Sequence, residues 1–234
     1  MKVLAVGAHP DDLELLCGGT LARFAATGHE VVMCHVTLGD CGSLVHTRGE
    51  IGDIRLAEAK AAAAIIGAAH ETLSLSDAKV HSADEVQQAL MIDLFRRAQP
   101  DLVITHAPND YMGDHNEVSK LVFDCSYFAT APLLRTSVEK ASSLTPIYYM
   151  DTVVGLGFFP THFVDITETF SEKKVMLAAH ESQVAWVRDH DGRDMLEQME
   201  VCARFRGHQC GVPYAEAFAE CLVWGRATTS RLLP

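Results

Sequence analysis

The stretch KVLAVGAHPDDLE, residues 2–14, joins a short apolar run to a polar turn and then to the start of a helix. Lys2–Val6 is apolar for too few residues to be the core of a signal peptide and is typical of a buried strand. From Leu13 to about Thr27 the apolar residues recur at helical spacing, and Gly28 ends the predicted helix. The stretch therefore predicts a strand–turn–helix unit, from which α/β folds are built.

Strands and helices continue to alternate through the first half of the chain. Glu30–Thr37 is nearly continuous in apolar residues, as is typical of a parallel strand buried on both faces. The remaining predicted elements of this part are helices at Asp53–Gly67, Ala83–Gln99 and about Asn116–Thr130 and strands at Glu71–Leu75 and Leu102–His106. This alternation predicts an α/β fold with a mostly parallel central sheet.

The pattern loosens in the second half, but no linker separates it from the first. The predicted elements are short strands at Pro146–Asp151 and Phe163–Ile166 and helices at Thr169–His180 and about Val184–Phe205. Tyr214–Phe218 is interpreted as terminal packing. We predict a single domain over residues 1–234, with a core of residues 1–130 and a C-terminal elaboration of residues 131–234.

The composition excludes several classes of function. Hydrophobic residues make up 48% of the 234 residues and charged residues 21%, which is ordinary for a globular protein. A formal net charge of −12 disfavours binding to nucleic acid, and no apolar run approaches the roughly 20 residues of a membrane span. The seven cysteines include no C-x-x-C pair, so we expect reduced thiols in a cytoplasmic protein.

Two polar loops follow predicted strands. Their chemistry-bearing residues are His9, Asp11 and Asp12 in the first loop and His106, Asp110, Asp114 and His115 in the second. Ligands of open α/β sheets bind at the carboxyl ends of the strands, so both loops should open on the same edge. An imidazole and a carboxylate from the first loop, with an imidazole from the second, would form the three-ligand set of a catalytic zinc site. A spare carboxylate beside that set could act as general base.

Spacing alone leaves other interpretations open. Asp is favoured at helix N-caps, so Asp12 could simply cap the helix that begins near Leu13. A histidine next to a turn is often a hydrogen-bonded structural residue. The strand–turn–helix opening is also shared with nucleotide-binding oxidoreductases, but their G-x-G-x-x-G pattern is missing, and the carboxylates here would repel a pyrophosphate.

The chain resembles the PIG-L (LmbE-like) family of de-N-acetylases in four motifs that occur in the expected order. The motifs are Gly7–Glu14 with Cys17–Leu21 behind it, Asp53–Ala59, Ala107–His115 and Val164–Thr167, and the similarity reaches Lys173 and His180–Gln183. The family includes deacetylases of glucosaminyl-phosphatidylinositol, mycothiol and bacillithiol biosynthesis. The resemblance implies a Rossmann-like three-layer sandwich and an enzyme that removes an N-acetyl group from a small amino-sugar-type substrate.

The resemblance also assigns roles to individual residues. It implies that the zinc ligands are His9, Asp12 and His115, although Fe²⁺ or another divalent ion could occupy such a set. Asp11 becomes the general base, and Asp114 is placed to orient an imidazole in the catalytic group. Arg55 matches an arginine that reaches the substrate pocket, where its planar guanidinium can hold polar groups.

One position departs from the family pattern. Many members carry a histidine three residues before the last ligand, where it is credited with helping the oxyanion and the leaving amine, but this chain has Met112. Methionine cannot donate a proton. Tyr111, His46 or His106 could assist instead, or activity could depend on the metal and Asp11 alone.

Other residues receive a local interpretation. Tyr111 and Met112 are predicted to contact the substrate, as is Arg48 in the loop 39–52, which is either a lid or merely mobile. Gly18 and Gly19 are expected to allow close packing of the first helix. His180, with Ser182 and Gln183, is expected at a helix C-terminus.

The function predicted from the sequence is metal-dependent N-deacetylation. The alternatives are an amidase acting on a non-sugar or thiol-conjugate amide and a zinc-binding relative with little catalytic activity. The expected partner is a small N-acetylated molecule, without nucleic acid or a membrane span, and the chain could form a homo-oligomer.

Overall fold

The computed structural model describes residues 1–227, which form one mixed sheet flanked by helices. The strands are β1 (Lys2–Gly7), β2 (Glu30–Thr37), β3 (Ala69–Leu75), β4 (Leu102–His106), β5 (Ile147–Met150), β6 (His162–Asp165) and β7 (Ala215–Glu220). The helices are α1 (Asp12–Ala26), α2 (Arg48–Ile65), α3 (Glu85–Ala98), α4 (Gly113–Phe128), α5 (Phe170–Ala178), α6 (Glu181–Asp191) and α7 (Met195–Cys210). None of these helices has the length and apolar composition needed to cross a membrane.

The strand order is β3-β2-β1-β4-β5-β7-β6. Neighbouring strands are parallel from β3 to β5, and β7 lies antiparallel between β5 and β6. The chain moves outward from β1 to β3 and then returns to place β4 on the other side of β1. Ligands of open α/β sheets bind where the strand order reverses in this way, so the loops after β1 and β4 border the expected crevice.

Strand β1 shows why the fold has three layers. Val3 and Ala5 pack in one apolar cluster with residues of α1, α2 and α5. Leu4 and Val6 point to the other face and pack with residues of α3 and α4, because successive side chains of a strand alternate between faces. The predicted three-layer α/β sandwich with a mostly parallel sheet is therefore confirmed.

Helix α2 begins at Arg48, five residues before the predicted start, so the loop 39–52 is shorter than expected. Thr47 caps the helix: its hydroxyl accepts a hydrogen bond from the Glu50 amide, and the Glu50 carboxylate accepts one from the Thr47 amide. This reciprocal pair is a capping box, and the sequence T-R-G-E carries its signature. The prediction missed it because the two glycines of this segment suggested a loop.

Two predictions for the C-terminal part are wrong. The single helix expected at about Val184–Phe205 is two helices, α6 and α7, because Gly192 adopts a left-handed conformation with φ 66° that ends α6. Tyr214–Phe218, interpreted as terminal packing, contributes most of its residues to β7, an interior strand. Alanine and glutamate favour strands weakly, so pairing with β5 and β6 overrides the local preference.

A buried ion pair ties α1 to this C-terminal part. Lys173 of α5 pairs with Glu216 of β7, and their side chains are only 2% and 4% exposed. The ammonium group also donates to the carbonyl of Leu15 at 2.8 Å. The carboxylate accepts from the amides of Gly19 and Thr20 at 2.9 and 2.7 Å. Both charged groups of the pair are therefore hydrogen-bonded inside the protein.

Gly19 itself permits a close approach of helix and loop. A β-carbon at this position would lie 2.8 Å from Ile166, which directly follows β6. Gly19 thus allows the expected close packing of α1, here against Ile166. A larger side chain at this position would force α1 away from Ile166.

We expect Lys173→Met to destabilise the fold by about 3–5 kcal/mol, because it leaves the Glu216 carboxylate buried without its counter-charge. Urea unfolding followed by circular dichroism measures the loss. The matched control is Lys174→Met at the next residue, whose partner Glu200 lies on the surface at 3.4 Å; such pairs contribute about 0–1 kcal/mol. Equal losses in the two variants would contradict the prediction.

Candidate active site

The turn after β1 carries two consecutive aspartates whose carboxylates have different partners. Asp11 is the residue before α1 and adopts φ 106° and ψ −24°, a conformation that residues other than glycine rarely hold. Such strain is concentrated at functional sites. Its consequence here is that Asp11 and Asp12 have different partners. Asp11 makes no capping hydrogen bond through its side chain, and Asp12 accepts from the His9 amide at 2.6 Å, so neither serves as an ordinary helix cap.

His9, Asp12 and His115 form a group that could hold a metal ion. One donor atom from each residue lies within 4.8 Å of the others. The Asp12 carboxylate stands between the two rings: Oδ2 is 3.4 Å from Nδ1 of His9, and Oδ1 is 3.3 Å from Nε2 of His115. The loops after β1 and β4 thus bring together the three residues that the family resemblance implied as ligands.

A second carboxylate supports each imidazole. Nδ1 of His115 lies 3.0 Å from Asp110 Oδ2, and Nε2 of His9 lies 3.2 Å from Asp114 Oδ2. A carboxylate can only accept, so these nitrogens carry protons, and the opposite nitrogens of the two rings, which face Asp12, are the ones available to a metal ion. Metal-bound histidines are commonly held in this way. Asp114 and Asp110 are thus placed beside the imidazoles of His9 and His115, and the orienting role that the resemblance implied for Asp114 stays a prediction.

The electrostatics of the group favour a positive charge. Burial opposes protonation of His9, but hydrogen bonds to Asp114 and Asp12 raise its pKa to about 10. Burial likewise opposes protonation of His115, and Asp12 and Asp110 raise its pKa to about 9. Nε2 of His115 is buried and makes no hydrogen bond. Two imidazoles, one of them with an unused buried nitrogen, and a carboxylate fit a divalent cation.

His106 packs behind this group and does not belong to it. Its ring stacks on His115 with a centroid distance of 3.8 Å, and its Nε2 accepts from the Ala8 amide at 2.9 Å. Burial lowers the pKa of His106 to about 4, so the ring is neutral. Because His106 is fully buried, it cannot touch a substrate, and the expectation that it could assist catalysis is not supported.

Asp40, Cys41 and Asp77 form another group with suitable spacing for a metal, but Asp40 is already saturated. Its two oxygens accept from Arg48 at 3.1 and 3.0 Å, from the Ser76 hydroxyl at 3.0 Å and from the Asp77 amide at 2.9 Å. These bonds use the carboxylate's four lone-pair positions. Arg48 thus fastens the loop after β2 and does not line the cavity that contains His9 and Asp11, so its contact with substrate stays a prediction. His46 is exposed and does not line the cavity either.

Arg55 holds the remaining carboxylate. Its Nη2 donates to Asp11 Oδ2 at 3.1 Å and to the Pro10 carbonyl, and its Nη1 donates to the Gly39 carbonyl at 3.0 Å. Burial raises the pKa of Asp11, and the neighbouring Arg55 charge opposes that rise. Arg55 lines the cavity as predicted, but its guanidinium is largely occupied in positioning Asp11.

We expect Gly39→Ala to lower kcat about tenfold or more while leaving the metal content unchanged. Gly39 has φ 68°, and a β-carbon there would lie 2.3 Å from the Arg55 guanidinium, so Arg55 must move away from Asp11. Small displacements of positioning groups are costly to catalysis. Steady-state kinetics and metal analysis measure the effect. Gly49→Ala, where a β-carbon meets nothing within 4 Å, is the control, and a similar loss in both variants would contradict the prediction.

A cavity of about 410 Å³ opens over the donor group and Asp11. The predicted contacts Arg55, Tyr111 and Met112 line it. Asp77, which was not predicted from the sequence, also lines it, and its buried Oδ1 has no hydrogen-bond partner. The C-terminal part contributes a further wall, with lining residues that include Gln183, Trp186, Asp191, Arg193 and Gln198.

His180 lies at the C-terminal end of α5, as expected; it directly precedes α6 and is fully buried. Its Nε2 is 3.2 Å from Glu14 Oε1, and the other oxygen of Glu14 is 3.4 Å from His35. Ser182 donates to Glu58 on α2. The side chains of His180 and Ser182 thus contact Glu14 of α1 and Glu58 of α2 and do not satisfy loose helix carbonyls.

The fold and the site together define a class: Rossmann-like α/β proteins whose strand-end loops carry a His–Asp–His donor group at a cavity. The model of the PIG-L family, described as GlcNAc-PI de-N-acetylase, matches residues 4–126. The chain belongs to this family, which confirms the resemblance found in the sequence.

Relatives and solved structures agree with this assignment. The chain is 29% identical to the diacetylchitobiose deacetylase of Thermococcus kodakarensis, over 92% of this chain and 81% of that protein. It is 28% identical to a 4-oxalmesaconate hydratase of Pseudomonas putida, over 74% and 70% of the two chains. The N,N'-diacetylchitobiose deacetylase of Pyrococcus horikoshii has a similar structure, with a TM-score of 0.80, 26% identity and coverage of 94% and 83%.

Proposed function

We propose that the protein is a zinc-dependent N-deacetylase that acts on a small amino-sugar-type substrate. This proposal rests on the different positions of the two aspartates in the turn after β1. Asp12 belongs to the donor group, whereas Asp11 faces the same cavity from outside that group. The deacetylases among the relatives support the reaction class. The donor set would also accept Fe²⁺ or another divalent ion, since such sets bind several metals.

The residues of the site supply the remaining chemistry. Zinc held by His9, Asp12 and His115 would lower the pKa of bound water to about 7 and polarise the amide carbonyl. Asp11 takes a proton from the attacking water. The same carboxyl group then gives that proton to the nitrogen as the C–N bond breaks, so that acetate and a free amine leave. Arg55 holds the Asp11 carboxylate in place throughout.

Met112 stands where many family members have a histidine, and it lines the cavity beside Tyr111. Because methionine cannot transfer a proton, we assign both proton transfers to Asp11. Tyr111 is mostly exposed, and we assign its hydroxyl to substrate binding.

A second candidate function is hydration of a carbon–carbon double bond in a small carboxylic acid. It is favoured by the hydratase relative, which matches 74% of this chain. The same donor group and cavity would also suit an amidase that acts on a non-sugar or thiol-conjugate amide, or a zinc-binding protein with little catalytic activity.

The purified protein, loaded with zinc, should release amine and acetate in equal amounts from N-acetylglucosamine glycosides. The assay includes N-acetylglucosamine, N,N'-diacetylchitobiose, a cysteine-conjugate amide and 4-oxalomesaconate, whose hydration is followed by absorbance. A chelator-treated sample should lose activity and recover it when zinc is added back. Hydration of 4-oxalomesaconate without amine release would overturn the proposal in favour of the second candidate, and inactivity on all substrates with zinc bound would favour a binding role.

A further inference from the structure

One part of the substrate cavity is apolar and sheltered from solvent. The apolar side chains that line it there are buried or half-buried; they are Leu15, Val153, Val187 and Met195. Leu15 lies on α1 one helical turn after Asp11, to whose carbonyl its amide donates at 2.9 Å, so it adjoins the catalytic turn. Other lining residues, such as Tyr111 and Arg193, are exposed at the mouth of the cavity. The cavity therefore has an apolar inner end and a polar mouth.

A second and much smaller cavity lies behind the apolar end. Its volume is about 30 Å³, which leaves room for only a few atoms, since one water molecule needs about 10–15 Å³. Leu15, Val153 and Gln198 line both cavities and thus form the wall between them. Beyond this wall the small cavity reaches the buried pair of Lys173 and Glu216.

The turn after β5 holds Val153 in this wall. The next residue, Val154, has φ 59° and ψ 13°, a left-handed conformation that is an outlier for a β-branched residue. Val153 lines the substrate cavity, whereas the side chain of Val154 is exposed. Arg206 fastens the turn from behind, because it donates to both oxygens of Asp151 at 2.6 and 3.1 Å. Strain of this kind persists where the surrounding structure enforces it, and it is concentrated at functional sites.

We propose that Val153, together with Leu15, determines the length of the acyl group that the enzyme removes. The inference rests on the proposed deacetylase function, which places the amide carbonyl at the donor group. The amine side of the substrate carries the rest of the molecule and must continue toward the open mouth. The acyl carbons therefore point to the apolar end, where an acetyl group fits and each further methylene meets the side chain of Val153.

The first test compares kcat/KM for N-acetyl-, N-propionyl- and N-butyrylglucosamine with the zinc-loaded protein. The wild type should prefer the acetyl over the butyryl compound by about tenfold or more, because a single methylene too many in an apolar pocket costs about 10–200-fold. Val153→Ala removes two methyl groups and joins the two cavities, so it should reduce this preference by about tenfold. Val153→Ile adds a methylene to the wall and should increase the preference. Loss of stability would not change the preference in opposite directions.

Val154→Ala is the matched control, because it makes the same change at the next residue, whose side chain does not line the substrate cavity. Its preference among the three acyl compounds should stay at the wild-type value. An equal change of preference in Val153→Ala and Val154→Ala would overturn the proposal, since it would trace the effect to the turn as a whole.

A binding measurement keeps this inference independent of turnover. Alkyl hydroxamates chelate zinc through two oxygens and place their alkyl chain where the acyl carbons of a substrate would lie. Calorimetric titration of the zinc-loaded wild type should show tighter binding of acetohydroxamate than of butyrohydroxamate, and Val153→Ala should remove this difference. Amine release with wild-type acyl and hydroxamate preferences in Val153→Ala would overturn the role of Val153 and leave the deacetylase intact. Absence of amine release from every N-acyl substrate would overturn the deacetylase instead, and the hydroxamate series would then decide by itself whether Val153 closes this end of the cavity.

Discussion

Asp11→Asn should retain one metal ion per chain and lose turnover by a factor of about 10²–10⁴, the usual contribution of general acid–base catalysis. The amide of asparagine cannot take a proton from water at neutral pH. In the proposed mechanism the same group also returns the proton to the leaving nitrogen, and Met112 offers no substitute. Both half-steps therefore fail together, and the effect should lie near the upper end of that range.

Asparagine is a close structural match at this position. Asp11 has φ 106°, and asparagine is among the few residues that tolerate positive φ. The Nη2 group of Arg55 can still donate to the side-chain oxygen that replaces Oδ2, which lies 3.1 Å away. Asp11 is not part of the donor group, so metal binding should be unchanged. The substitution thus removes the chemistry and keeps the geometry.

The measurement combines initial rates with metal analysis of the same preparation. Asp53→Asn on α2 is the control, because it makes the same chemical change at an exposed residue away from the cavity. Turnover of Asp11→Asn within a few-fold of the wild-type rate would show that another group is the base. Loss of metal from this variant would show that Asp11 is a ligand.

Local sequence signals predicted that the two loops of the donor group meet, and the family resemblance selected three side chains among those that the loops carry. The run from β1 to α1 combines strand and helix periodicities on either side of the turn, and the carboxyl ends of parallel strands meet at one edge. His9, Asp12 and His115 could therefore be placed together although His115 is more than a hundred residues away in sequence. The same rule could have found Asp77, because it follows β3 at this edge; it was overlooked because it belongs to no motif of the resemblance.

Other features depend on pairings that the sequence does not display. Arg48 was assigned to substrate because it lies in a polar loop, but its guanidinium is bound to Asp40, a contact decided by how the segment folds back. The position of Trp186 at the cavity depends on α6 ending at Gly192 and on β7 entering the sheet between β5 and β6. Neither event has a strong local signal, since the residues of β7 favour strands weakly.

His115→Ala should lose the metal and, with it, activity. Removing this imidazole leaves only His9 and Asp12 of the donor group, so we expect affinity for zinc to fall by more than about 100-fold, beyond the 10–100-fold typical of losing a supporting carboxylate. Asp110→Asn provides that comparison, because Asp110 touches only the far nitrogen of the ring, at 3.0 Å. His115→Ala should therefore bind zinc more weakly than Asp110→Asn, because it removes a proposed ligand and not a residue that supports one.

Zinc affinity measured by competition with a chromogenic chelator, together with circular dichroism, separates loss of the site from loss of the fold. His115 is fully buried and stacked on His106, so truncation also leaves a cavity that lowers stability. His115→Gln fills more of that space and should bind zinc as poorly as the alanine variant if the imidazole is the ligand. His208→Ala, at an exposed histidine of α7, controls for nonspecific binding. Wild-type zinc affinity in both His115 variants would mean that the metal is held by other residues. The roles of Asp11 as base and Asp12 as ligand would then have to be reassigned.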